Sequence, residues 1–122
     1  MVLDRHDDVV RRLAEACHGG DFGTVRTVLA ADAVAICDGG GLVLAALGPV
    51  HGAEDVAQLV VVLLCGRPDT ELTVEAVNGR AGLALRRAGR ALTVVSVKVA
   101  GTRVAVVWIV LNPAKLRGWH RP

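Results

Sequence analysis

An unbroken run of eight apolar residues, Val104 to Leu111, constrains this chain more than any other feature. A strand with one face in solvent alternates apolar and polar side chains, so a continuous run needs cover on both faces. Helices of the same chain can cover one face. The other needs a second layer, most simply the same strand region of another subunit, which predicts a homodimer through the sheet. Neither this run nor Leu59 to Cys65 approaches the ~20 residues that a membrane-spanning helix requires, so no membrane association is expected.

The residues before the run supply the rest of such a sheet. Leu72, Val74 and Ala76 alternate, and Asn78-Gly79 then marks a tight turn. Gly82 to Arg87, Ala91 to Ala100 and Arg103 to Leu111 follow, separated by Ala88-Gly89-Arg90 and Gly101-Thr102 at the spacing of an antiparallel meander. Upstream, Val9, Val10, Leu13, Ala14 and Cys17 recur at helical spacing, with Asp8, Arg11, Arg12 and Glu15 on the other side. Gly19-Gly20 ends this helix, and Asp21 caps a second one striped by Phe22, Val25 and Leu29. A third follows His51-Gly52, with Glu54 and Asp55 in its first turn and Gly66 and Pro68 closing it. Its stripe is Val56, Leu59, Val60, Leu63 and Leu64, and Val61 and Val62 off the stripe predict that more than one face is covered. Between helices two and three, Ala33 to Cys37 and Leu42 to Leu47 read as the arms of a hairpin around Asp38-Gly39-Gly40-Gly41.

The fold class is therefore α+β: three helices on a curved, mostly antiparallel sheet, in a single domain over residues 1–122. At 52% apolar and 21% charged, the composition is that of a folded globule. A polar, acidic N-terminus, where a secretory leader would be basic and then apolar, predicts a cytoplasmic location. Cys17, Cys37 and Cys65 are widely spaced among apolar neighbours and read as core residues of a reducing compartment. His6, His18, His51 and His120 are scattered, so neither a metal nor a cofactor is expected. A net charge of +2, with one Phe, two Trp and no Tyr, argues against direct nucleic-acid binding.

Four motifs carry a resemblance: Asp38-Gly39-Gly40-Gly41, Pro49-Val50-His51-Gly52, Val77-Asn78-Gly79-Arg80 with Gly82, and Leu111-Asn112-Pro113-Ala114-Lys115-Leu116. In this order of elements, the chain resembles the cone-shaped fold of nuclear transport factor 2, SnoaL-type polyketide cyclases and ketosteroid isomerases. Within that superfamily it is most similar to the SnoaL-like C-terminal extension of a group of extracytoplasmic-function RNA polymerase sigma factors. Leu42 and Ala114 stand where those proteins usually carry a basic and an acidic residue. The resemblance implies a non-catalytic regulatory or ligand-binding module with an apolar pocket for a small apolar molecule. It also implies contact with a protein of the transcription machinery. The promoter-reading part of such a factor has no counterpart here, which leaves a stand-alone relative and an excised domain as open readings.

The alternative is an isomerase or cyclase with Asp38 as general base, since the end of the first strand is where the resemblance puts that carboxylate. Proton abstraction beside a carbonyl also needs donors for the developing enolate. By the same resemblance, Leu13 stands at the tyrosine position and Val95 at that of the second acid. Asp38 reads first as a turn-forming residue and after that as a ligand contact, and Gly39, Gly40 and Gly41 as a hairpin at the pocket mouth. Trp108 either lines the cavity or belongs to the core or dimer interface. His51 is read as a helix-entry residue without a catalytic role. Arg80, Arg86, Arg87 and Arg90 read first as solvated surface and second as a site for an acidic partner. After the last strand, Asn112, Pro113, Lys115, Leu116 and Trp119 form the candidate partner contact, with two apolar anchors among basic residues. A third reading is a purely structural dimerising domain whose cavity is filled by Val and Leu.

Overall fold

A computed structural model describes residues 5–39 and 48–122. Helix α1 spans Arg5–Gly19 and α2 spans Phe22–Val28. Strand β1, Leu29–Asp38, follows without a break, then β2, Val50–His51, and helix α3, Ala53–Leu64. The meander is β3 Thr70–Val77, β4 Arg80–Arg87, β5 Arg90–Ala100 and β6 Arg103–Val110. A short helix α4, Pro113–Leu116, and a 3₁₀ turn, Arg117–Trp119, close the chain.

The expected signals act where the sequence puts them. Asp21 has extended φ/ψ at the start of α2, and its carboxylate accepts from Gly23 N at 3.3 Å and Thr24 Oγ1 at 2.7 Å. Asn78 and Gly79 have φ of 52° and 82°, as a two-residue hairpin turn with the right twist requires. A β-carbon on Gly82 would lie 2.4 Å from the Val95 carbonyl oxygen, so only glycine lets β4 and β5 approach this closely.

One expectation falls outside the described residues and one is corrected. The strand pairing antiparallel with β1 is Val50–His51, in the register Val34 to His51 and Ala35 to Val50. The other proposed hairpin arm, Leu42 to Leu47, lies outside the described residues. On α3, Val61 is half-buried and Val62 is exposed, because the helix packs on the sheet through Val56, Ala57, Val60, Leu63 and Leu64 and leaves its far side open.

The sheet order is β2-β1-β6-β5-β4-β3, antiparallel throughout except for the parallel pair β1 and β6. Strand β6 is thus interior, which accounts for its apolar run. Val104, Val107 and Ile109 turn toward the helices and are buried, while Val106, Trp108 and Val110 turn outward. The inner face packs against the helices in one large cluster that includes Val9, Leu13, Val56, Val60, Leu83, Leu85, Val95 and Ile109. Each such side chain contributes about 1.5–3 kcal/mol by leaving water. A second, smaller cluster lies on the outer face: Val77, Ala84, Ala91, Val94 and Leu116, with Val110 and Trp119 packed against it. No helix among the described residues is long and apolar enough to cross a membrane.

Candidate functional site

The outer face of the sheet gathers most of the residues singled out in the sequence. Asn112 caps α4 by accepting from Ala114 N at 3.1 Å, and Pro113 occupies the first turn, where its missing N–H is not needed. This turns the chain back over β5 and β4. Leu116, 3% exposed, then sits on Ala84, Ala91 and Val94. Beyond it the tail is pinned at two points: Arg121 N donates to Gly89 O at 2.7 Å, and Ala91 N donates to the His120 side chain at Nδ1, 2.9 Å away. A β-carbon at Gly89, where φ is 80°, would lie 2.3 Å from Arg121 O, so this crossing depends on glycine.

Charge fastens the same tail. Arg86 donates from both terminal nitrogens to the two carboxylate oxygens of Glu75, and from Nε to Trp119 O at 2.9 Å. Arg121 Nη2 reaches Glu75 Oε1 at 2.8 Å. Hydrogen bonding by Arg86, helped by Thr73 and Arg121, holds the Glu75 carboxyl down at about 2, and the same pairing with Glu75 raises the Arg86 guanidinium. Sequence reading took Arg86 for surface. It is buried, and although the register sets Glu71 directly opposite, its side chain runs along β3 past Thr73 to Glu75. A cavity of about 530 Å³ opens beside this network, lined by Asp69, Thr70, Glu71, Thr73, Arg86 and Arg121 among others.

The candidate base is not inside the cone. Asp38 pairs in register with Val110 and lies on the outer face, where its carboxylate meets Lys115 Nζ at 2.5 Å. Ala33 and Ala35 are the inward residues of β1, so alternation turns Asp38 outward. Both partners of this ion pair are substantially exposed. Of the glycines that follow, Gly39 is buried, and Gly40 and Gly41 lie outside the described residues. Among the described residues, apolar side chains pack closely beneath the helices. Leu13 and Val95 are both 0% exposed, as are Val56, Val60, Leu83 and Ile109, so no water-sized space adjoins them. Thr93, also fully buried, is the polar exception: among the described residues its hydroxyl has no hydrogen-bond partner.

Trp108 does not line the interior either, because its neighbours Val107 and Ile109 take the inward positions. It stands on the outer face between Ile36 of β1 and Ser96 of β5. Trp108 is 38% exposed and Ile36 40%, with Val34 and Val106 half-buried one step along the strands. The tail does not reach this strip. Leu116 and Trp119, expected to dock on a partner, pack on their own sheet instead, Trp119 half-buried. Among the described residues, no three His, Cys, Asp or Glu side chains stand close enough to hold a metal ion.

No protein-family model and no curated protein matches the sequence. Solved structures do. The extracytoplasmic function sigma factor SigJ of Mycobacterium tuberculosis is similar over 95% of this chain and 45% of its own, with 26% identity and a TM-score of 0.66. This chain therefore spans less than half the length of that factor. An LEH-like epoxide hydrolase of M. tuberculosis is similar over 95% of this chain and 89% of its own, at 17% identity and a TM-score of 0.57. An NTF-2 like protein of unknown function from Burkholderia xenovorans matches over 97% of this chain and 94% of its own, at 12% identity and a TM-score of 0.62.

Proposed function

We propose, from the premise that this chain has the nuclear transport factor 2-like, SnoaL-like fold, that it is a non-catalytic regulatory domain working by protein contact. One observation carries the reading. The carboxylate at the base position is on the outside, paired with Lys115, while Leu13 and Val95 fill the inside where a proton-transfer enzyme needs donors. The surface available for contact is the bare strip of Ile36, Val106 and Trp108. Its occupant in this reading is a second copy of the chain, because the outward residues of β6 are apolar to the end and the tail covers only Val110. Transcription in the cytoplasm is the setting, a step that rests on the likeness to SigJ.

Two measurements test this. The chain should bind the promoter-reading part of SigJ, prepared without that factor's own C-terminal region, with saturable heat in calorimetry. It should also leave the isomerisation of a β,γ-unsaturated ketone at the rate of buffer alone. Absence of binding removes the regulatory reading. A catalysed rate that disappears in Asp38→Asn replaces it with the enzyme.

A further inference from the structure

The sheet has two edges, and they are finished differently. At one end lies β2, Val50–His51, two residues long; at the other lies β3, Thr70–Val77, eight residues in unbroken register with β4. Edge strands of soluble proteins are kept short, bent by a bulge, or marked with proline or lysine, because their outward backbone groups can pair with another chain. Strand β3 has none of these devices.

Which of its backbone groups face outward follows from the turn. A two-residue hairpin closes on a hydrogen-bonded pair, here Val77 and Arg80, and bonded pairs then alternate along the ladder. Glu75 opposite Gly82, Thr73 opposite Ala84 and Glu71 opposite Arg86 therefore spend their N–H and C=O on β4, while Leu72, Val74 and Ala76 turn theirs to the open edge. The Leu72 carbonyl fits this phase, since it accepts from His18 Nε2 at 3.1 Å and not from a strand. Among the described residues, nothing pairs with the backbone of Val74 or Ala76 from that side, and both residues are exposed.

A groove runs along each face of this edge. On the helix side a cavity of about 390 Å³ is lined by Val74, Ala76, Asp7 and Arg11 among others. On the outer side, the cavity beside the tail is lined by Thr73 together with Asp69 and Glu71. Glu75 is neutralised by Arg86 and Arg121, whereas Asp69 and Glu71 are exposed and, among the described residues, take part in no salt bridge.

We propose that the open edge of β3 is a strand-addition site for an extended segment of a partner protein, basic where its side chains fall beside Asp69 and Glu71 and apolar where they fall beside Val74 and Ala76. The Val74 and Ala76 backbones supply the hydrogen bonds, and the period of two sends alternate side chains of the guest into the two grooves. A second copy of β3 does not meet this demand, since Thr70–Val77 contains no lysine or arginine to set beside the carboxylates. The edge is also separate from the strip of Ile36 and Trp108, which lies across the sheet on β1 and β6.

The probe is a capped synthetic peptide alternating lysine and valine, titrated into the folded chain while amide hydrogen exchange is followed by NMR. Exchange should slow at Val74 and Ala76 and stay as it was at Thr73 and Glu75, which already bond to β4. Glutamate in place of lysine in the peptide should abolish binding, and Glu71→Lys in the chain should weaken it by about five- to tenfold. A peptide with the same side chains and methylated backbone nitrogens should not bind. Val74→Pro removes an edge N–H without touching the β4 ladder, so this variant should fold and fail to bind. Undiminished binding of the methylated peptide would overturn the proposal, because charge attraction alone would then account for it. Unslowed exchange at Val74 and Ala76 would overturn it too. So would slowing that appears without peptide and grows with the concentration of the chain, the mark of a second copy. The two peptides decide even where Val74→Pro fails to fold.

Discussion

On one face of a single sheet, the half formed by β3, β4 and the start of β5 is roofed by the chain's own tail, and the half formed by β1 and β6 is bare. Both halves begin with the same difficulty, apolar side chains pointing away from the helices. Over β4 and β5 these are small, Ala84, Ala91 and Val94, and a single Leu116 covers them. Over β1 and β6 they are large, Ile36 and Trp108, and nothing in the described chain lies across them. Polar atoms divide the same way. The roofed half has Glu75, Arg86 and the Trp119 carbonyl to hold its cover, whereas among the described residues the bare strip is flanked by Ser96 and Lys98 on one side and His51 on the other. A surface finished with buried ion pairs is built to stay closed, and one left apolar and lightly flanked is built to meet something.

The sharpest way to break this contrast is to strip the roof. Leu116→Ala deletes a nearly buried side chain seated on three small ones, and should destabilise the chain by about 2–4 kcal/mol. Urea denaturation followed by circular dichroism reads this as a lower midpoint at unchanged slope. A loss below about 0.5 kcal/mol would mean that the tail rests on the sheet without contributing to the fold.

Next in size is the charge that fastens the roof. Glu75→Gln keeps the shape but leaves Arg86 buried beside a neutral partner. The expected loss is about 2–3 kcal/mol, between the values for exposed and fully buried pairs. The pH dependence follows from the depressed carboxyl. Its contribution is complete above the ordinary value of 4.5 and disappears as pH falls toward about 2. The stability difference between the wild-type chain and Glu75→Gln should therefore be full at about pH 6 and clearly smaller at about pH 3. An unchanged difference would show that Glu75 does not carry the clasp.

Periodicity made much of this molecule legible in advance. The stripe of α1, the cap at Asp21, the Asn78-Gly79 turn and the four strands of the meander are local signals, and each acts where its residues stand. The uninterrupted β6 said that both faces need cover, but not that its neighbour is β1 in parallel, a pairing set by distant residues. The site was less legible for the same reason. Which face Asp38 and Trp108 occupy turns on a single step of strand register, and that step sent both outward. Leu116 and Trp119 were recognisable as anchors, yet the surface receiving them is made of alanines and a valine that nothing in the sequence marks. Arg86 looked like any surface cation, and even the register, which sets Glu71 opposite it, does not point to Glu75, which its side chain reaches along the strand.

The bare half is tested by the change with the smallest effect on folding. Trp108→Ser removes a side chain that is more than a third exposed and packs mainly beside Ile36, a cross-strand contact worth about 1 kcal/mol or less. The monomer should therefore unfold at nearly the same urea concentration as before. Its assembly should not survive, since an interface seated on this strip loses its largest apolar anchor. Sedimentation at matched concentrations separates the two effects: the unsubstituted chain should run as a dimer and Trp108→Ser as a monomer. A dimer in both would move the contact to another face, and a monomer in both would remove the second copy from the strip. A large loss of stability in Trp108→Ser would instead make the bare half part of the core, and the contrast with the roofed half would fail.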